Sequence, residues 1–289
     1  MPNIESSPDA TAGGAPDLHD ERSVRDRPRH SRVTRIAHWL NAWAMAALFM
    51  SGLQILNAHP ALYWGQAGFD KSRAWIQVGD DGSGAPHGFL HIGATTIHTT
   101  GFLGAFSTPA GLVTKAFPGW LTIPSERDLA VGRRWHFLFS WVLVVNGFIY
   151  LTVSIATGHL RRDLIPTLRE LTPRRLGQDI WNHLRLRFPR DEAARHYNTL
   201  QKLAYVGVIL GLGPLMILTG LTMSPGFDAA VPGLLDLFGG RQSARSIHFI
   251  TANLLLLFLI VHLGALLAVG VWNELRSMIT GRYARSRGA

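Results

Sequence analysis

The stretch from Ile247 to Val271, IHFITANLLLLFLIVHLGALLAVGV, decides the fold. Its apolar run exceeds the roughly 20 residues that cross about 30 Å of hydrocarbon at 1.5 Å per residue. Two histidines interrupt it, His248 and His262. An ionisable side chain inside a span is costly and therefore points to function. The two are 14 positions apart. At 100° per residue they return to within about 40° of the same helix face, about 21 Å apart along the axis. One face thus carries two imidazoles, one above the other.

Working outward, three more segments have the length and apolarity of spans: Arg35 to Leu56, Trp135 to Ala156 and Leu200 to Met223. Pro214 lies inside the last and should kink it. Composition agrees. Hydrophobic residues make up 47% of the 289 and charged residues 16%, below the roughly 25% of soluble domains. The expected class is an all-α integral membrane four-helix bundle, with a long extracytoplasmic loop, 57–134, between helices one and two. Within that loop, Gly88 to Val113 is apolar on average but broken by Gly, Thr, Ser and Pro. It reads as part of a folded extramembrane segment. Residues 1–30, rich in Pro, Gly, Ser, Asp and Arg, read as a disordered tail. The membrane domain is expected over 31–276, and 277–289 reads as a short basic tail.

Charge gives the orientation. Of the 28 Lys and Arg, 20 fall in the N-terminal segment, the 157–202 connection and the C-terminal segment, and eight on the opposite side. The basic side is expected to be cytoplasmic, with both termini there, in a bacterial inner membrane. The net charge of +9 is then a topology signal, and nucleic acid is not an expected partner. There are no cysteines, which excludes disulfides, thiolate metal sites and covalently attached haem. No nucleophile–base constellation, phosphate loop or nicotinamide fingerprint is present.

Topology supplies partners for the two histidines. His38 lies near the inner end of span one, level with His262. His136 opens span two at the outer end, level with His248. Two imidazole pairs at two depths suit axial ligation of two haem irons. The competing reading is a His-lined proton or ion pathway without haem.

Residues around these histidines resemble a known family. R-I-A-H-W-L-N (35–41) with S-G-L (51–53), G-R-R-W-H-F (132–137) and Y-N-T-L-Q-K-L-A-Y (197–205) are similar to the bacterial cytochrome b561 and nickel-hydrogenase-type cytochrome b family. Membrane subunits of formate dehydrogenase and of thiosulfate-reductase type belong to the same group. The resemblance spans about Arg32 to Arg276 and includes the two histidines 14 apart. It implies two non-covalent b haems on His38, His136, His248 and His262, and a quinone site near one of them. It also implies a redox partner protein, of which a periplasmic molybdopterin oxidoreductase is one kind. A stand-alone cytochrome b561 acting on a small molecule is the alternative within the family. The long outer loop departs from simpler members and favours a docked partner.

Further candidates are weaker. Arg133 and Arg134 precede His136 and are candidates for haem propionates, or for snorkelling at the interface. Asn41, His196, Asn198 and Gln201 are candidate quinone hydrogen-bonding groups, or polar groups of helix starts. Gly52, Gly147, Gly220 and Gly264 would admit a flat macrocycle or a neighbouring helix. His87, His91 and His98 cluster in the outer loop, with His91 and His98 near one face if that stretch is helical.

Overall fold

The computed structural model describes residues 31–70, 73–109, 111–185 and 198–281. The expected tail at 1–30 and the last eight residues, 282–289, lie outside them. The class is mainly helical, and four helices have the length and apolarity to cross a membrane. They are α1 (Arg32–Leu56), α2 (Leu129–Ala156), α4 (Thr199–Thr222) and α7 (Arg241–Val269). Each contains the expected span or overlaps it within a few residues. Shorter helices are α3 (Pro173–Leu184), α5 (Pro225–Ala230), α6 (Pro232–Leu237) and α8 (Val271–Thr280). The last continues helically into residues expected to be tail.

The span exteriors are apolar and exposed, with Trp141 at 67%, Phe148 at 71% and Leu267 at 71%. Patches of that kind fit hydrocarbon better than water. The interior is small and polar instead, with Ala44, Ser51, Gln54, Thr219, Ser246 and Thr251 all buried. Small residues let helices approach closely where lipid supplies no hydrophobic drive between them. Among the described residues, backbones pack closely within two helix pairs, α1 with α2 and α4 with α7, and only sparsely between the pairs.

Pro214 is accommodated through an identifiable device. It has no N–H to give its own i−4 carbonyl. The segment Gly207–Leu212 widens into a π-helix, with the Gly213 amide bonded to the Val208 carbonyl. Regular helix resumes at Gly213 with the proline in its first turn, where a missing N–H costs nothing.

The long loop is not all helix and coil. It folds as a β layer of β1 (Ala61–Leu62), β2 (Ile76–Asp80), β3 (Gly88–Ile92), β4 (Thr95–His98), β5 (Gly104–Thr108) and β6 (Gly111–Lys115). The first four form an antiparallel meander in chain order, with Val78 opposite Leu90 and His91 opposite Thr96. The other two make a separate hairpin. Gly88 and Gly104 are where the hairpin meets the meander. A Cβ on Gly88 would lie 2.0 Å from the Leu103 carbonyl oxygen, and one on Gly104 (φ 80°) 2.0 Å from that of Gly79. Val78, Ala116 and Phe117 form a small core with Leu53 and Leu56 from the end of α1. Asn57, just past that helix, accepts from the Phe117 amide at 2.8 Å and donates to its carbonyl.

The layer also rests on the start of α7. Ser243 Oγ accepts from the Gly65 amide at 2.7 Å. Ser246 Oγ accepts from Trp75 Nε1 and donates to the Tyr63 carbonyl. The Arg245 guanidinium donates to the carbonyls of Ala61 and His59. At the other end of the bundle, Arg35 and Trp39 of α1 donate to the carbonyls of Ile279 and Met278, at the end of α8. Orphan carbonyls of a helix C-terminus are natural acceptors for a cation. The molecule thus has a loop end and a terminal end.

Candidate functional site: two histidine pairs

α1 delivers His38 and α7 delivers His262 toward the terminal end, with ring centres 6.3 Å apart and planes at 55°. α2 delivers His136 and α7 delivers His248 at the loop end, with ring centres also 6.3 Å apart and planes at 60°. Both pairs bridge from the first helix pair to the second. The pairing and the levels are those read from topology.

At the loop end each imidazole is held from behind. His136 Nδ1 lies 3.1 Å from Ser51 Oγ, and His248 Nδ1 lies 3.0 Å from Thr219 Oγ1. The residue after each hydroxyl is a glycine. A Cβ on Gly52 would sit 3.5 Å from His136 Cε1, and one on Gly220 3.4 Å from His248 Cε1. These two glycines face the rings, whereas Gly147 and Gly264 face open space. At the terminal end the surroundings differ. His262 stacks on Phe258, with centres 6.0 Å apart. His38 Nδ1 is buried with no hydrogen-bond partner.

Asn41, one turn from His38, accepts from Asn146 Nδ2 at 2.7 Å, and Asn146 also donates to the Ala37 carbonyl. Asn146 is buried in α2 and was not singled out from sequence. Asn198 and Gln201 form a reciprocal capping box at the start of α4; their side chains serve the helix start. His196 lies outside the described residues. Arg133 and Arg134 are both exposed, and the Arg133 guanidinium lies 5.6 Å from the centre of the Phe137 ring. The outer-loop histidines do not share a helix face. His91 and His98 lie on adjacent strands, and His98 faces Phe89 across the ladder. His87 Nδ1 meets Asp81 at 3.3 Å and His91 Nδ1 meets Thr96 at 3.0 Å. Among the described residues no cluster of three or more His, Asp or Glu could hold a metal ion.

Fold and site together define a polytopic membrane protein whose helix bundle presents two imidazole pairs, one toward each end. The chain belongs to the prokaryotic cytochrome b561 family, whose model matches residues 29–281. It is also 34% identical over 148 residues to the putative protein-methionine-sulfoxide reductase subunit YedZ1 of Azospira oryzae, an alignment covering 51% of this chain and 70% of that protein. No solved structure matches the chain. Family membership makes this a bacterial membrane haem protein of the electron-transferring kind, with b-type haem as cofactor.

The residues fit that cofactor. Two imidazole nitrogens each about 2 Å from one metal ion would set their ring centres a little over 6 Å apart, the spacing of both pairs. The donor set is neutral nitrogen without thiolate, and the Ser51 and Thr219 bonds occupy Nδ1, leaving Nε2 of each loop-end ring for a metal.

Proposed function

We propose that this chain is a dihaem b-type cytochrome, the membrane subunit of a quinone-linked respiratory oxidoreductase. The observation that carries the reading is the pair of matched 6.3 Å histidine contacts, His38 with His262 and His136 with His248. His38 and His262 would hold the haem at the terminal end, and His136 and His248 the one at the loop end. Each b haem, when bound, supplies a reversible one-electron iron centre. The two histidine pairs lie one toward each end of α7 and would hold the two centres there, an arrangement that suits electron transfer from one end of the bundle to the other. The distribution of Lys and Arg supports a cytoplasmic terminal end. The β layer, seated beside His248, then faces the periplasm and offers a platform for a redox partner. The likeness to a protein named as a sulfoxide reductase subunit supports a partner enzyme, of which a molybdopterin oxidoreductase is the kind proposed. Quinone is the proposed second substrate in the lipid, with Asn41, one helical turn from His38, as a candidate group to bind it.

The reading is tested by a dithionite-reduced minus oxidised spectrum of the purified protein, with haem measured per chain. Two b haems are expected. His38→Ala and His262→Ala should lose the same one, and His136→Ala and His248→Ala the other. A single haem per chain, or loss patterns that cross the pairs, would overturn it. A colourless protein from haem-replete cells would favour the ion-pathway reading.

A further inference from the structure

The loop-end histidines rest on the same small device, used twice. Ser51 Oγ donates to the Ala47 carbonyl, four residues back, at 2.6 Å. Thr219 Oγ1 donates to the Leu215 carbonyl, also four back, at 2.7 Å. Each hydroxyl has one hydrogen, and a backbone carbonyl holds it. Toward the imidazole each oxygen can therefore only accept. It follows that Nδ1 of His136 and of His248 carries the proton and donates toward the hydroxyl; each imidazole also bonds a backbone carbonyl three residues before that hydroxyl, Leu48 for His136 and Met216 for His248. Gly52 and Gly220, one residue on, keep side-chain bulk away from the ring edge. A hydroxyl followed by Gly and Leu thus recurs at 51–53 on α1 and at 219–221 on α4. In each case it receives the histidine of the next span. The terminal-end pair has no such support at His38, whose Nδ1 is buried without a partner.

We propose that Ser51 and Thr219 are positioning residues that clasp both axial ligands of the loop-end haem and lower its potential relative to the terminal-end haem. This rests on the dihaem reading above. The hydrogen bond from Nδ1 fixes the tautomer and ring angle and raises the electron density at Nε2. A more basic axial nitrogen stabilises ferric over ferrous iron. Clasping both ligands applies the effect twice to one centre and leaves the other untouched. The hydroxyls touch neither iron nor substrate and act through the histidines.

The test is a spectroelectrochemical titration of the whole protein in nanodiscs, with haem per chain and low-spin ferric EPR recorded on the same samples. The loop-end midpoint is identified as the one lost in His136→Ala. Ser51→Ala and Thr219→Val should each move that midpoint upward and shift its EPR signal. The double variant should move it further. Ser51→Thr and Thr219→Ser should keep wild-type values, and the terminal-end midpoint should stay put in all of them. If Ser51→Ala or Thr219→Val sheds only the loop-end haem while its hydroxyl-bearing counterpart keeps it, the clasp is equally supported. Two haems with unmoved midpoints in both variants would sink the clasp and leave the dihaem reading intact. So would haem loss in the hydroxyl-bearing variants as well. A wild-type protein with fewer than two haems would sink the dihaem reading, and the clasp with it.

Discussion

Gly132 sits where α2 leans on α1, and a Cβ built there would lie 2.8 Å from Gln54 Cγ. Gln54 cannot easily give way. It is buried, and its amide donates to the Glu126 carbonyl while its oxygen accepts from Asn57. Gly132→Ala is therefore expected to destabilise the protein by about 1–3 kcal/mol, the usual cost of overpacking. The check is thermal or denaturant unfolding followed at the haem absorption band. A change within the error of wild type would show that the α1–α2 contact relaxes more readily than this packing implies. The same scale separates what sequence can and cannot show about the site. The four histidines were legible because imidazole is rare in spans and their depths follow from chain direction alone. Ser51, Thr219 and Asn146 were not legible as partners. A hydroxyl or amide in a span ordinarily bonds its own helix, and only the packing of a second helix shows what else it meets. The S-G-L of α1 and its echo, T-G-L, on α4 acquire a meaning only where each packs against a histidine.

Asp81 accepts two of the bonds that close the turn between β2 and β3. The amides of His87 and Ser83 both donate to Asp81 Oδ1, at 3.0 and 3.1 Å. These bonds, that from His87 first, hold the Asp81 carboxyl well below the usual carboxylate range. A carboxyl whose folded pKa is depressed stabilises the fold above its unfolded value, about 3.9. It loses that contribution as pH falls through the folded value. The turn should therefore stay closed through mildly acidic pH and open only under stronger acid. Asp81→Asn should loosen it already at neutral pH. Hydrogen exchange of the 80–90 segment, corrected for intrinsic rates, measures this. Equal protection in both proteins at pH 7 would count against the carboxylate as the organiser. This β layer was the element least legible in the sequence. Its strands have two to five residues. Alternation over so few positions does not stand out from the apolar average of 88–113, and its close approaches depend on Gly88 and Gly104 rather than on a residue pattern. The spans were legible for the opposite reason, since twenty consecutive apolar residues leave one solution in lipid. Their observed helices start earlier than the expected spans, because helix geometry continues past the hydrocarbon: α2 begins at Leu129 with Asp128 as its N-cap, and the expected span at Trp135.

Across the whole molecule, the β layer and the bundle share few covalent links and a concentrated set of polar ones. α1 and α2 carry its two chain ends; the start of α7 holds its middle. Arg245 is central there. It is the cation that takes up the carbonyls of His59 and Ala61, three residues before the loop-end histidine on the same helix. Removing it leaves partly buried carbonyls without a donor, at about 1–3 kcal/mol each. Arg245→Met keeps the aliphatic bulk and the helix propensity but not the bonds. Its expected consequence is local opening of the layer, not loss of the spans, whose backbone bonds are satisfied within each helix. Since 1.4 kcal/mol is a factor of ten in an equilibrium, proteolysis within 57–127 of nanodisc-embedded protein should quicken about tenfold or more. The helical circular dichroism of the bundle should hardly change. If the layer resists protease as the wild type does, its seat on α7 is maintained by its other bonds to residues 241–246. If instead the bundle itself unfolds, layer and spans form one cooperative unit. The loop-end histidine would then depend on the outer layer for its position as much as on the helix that carries it.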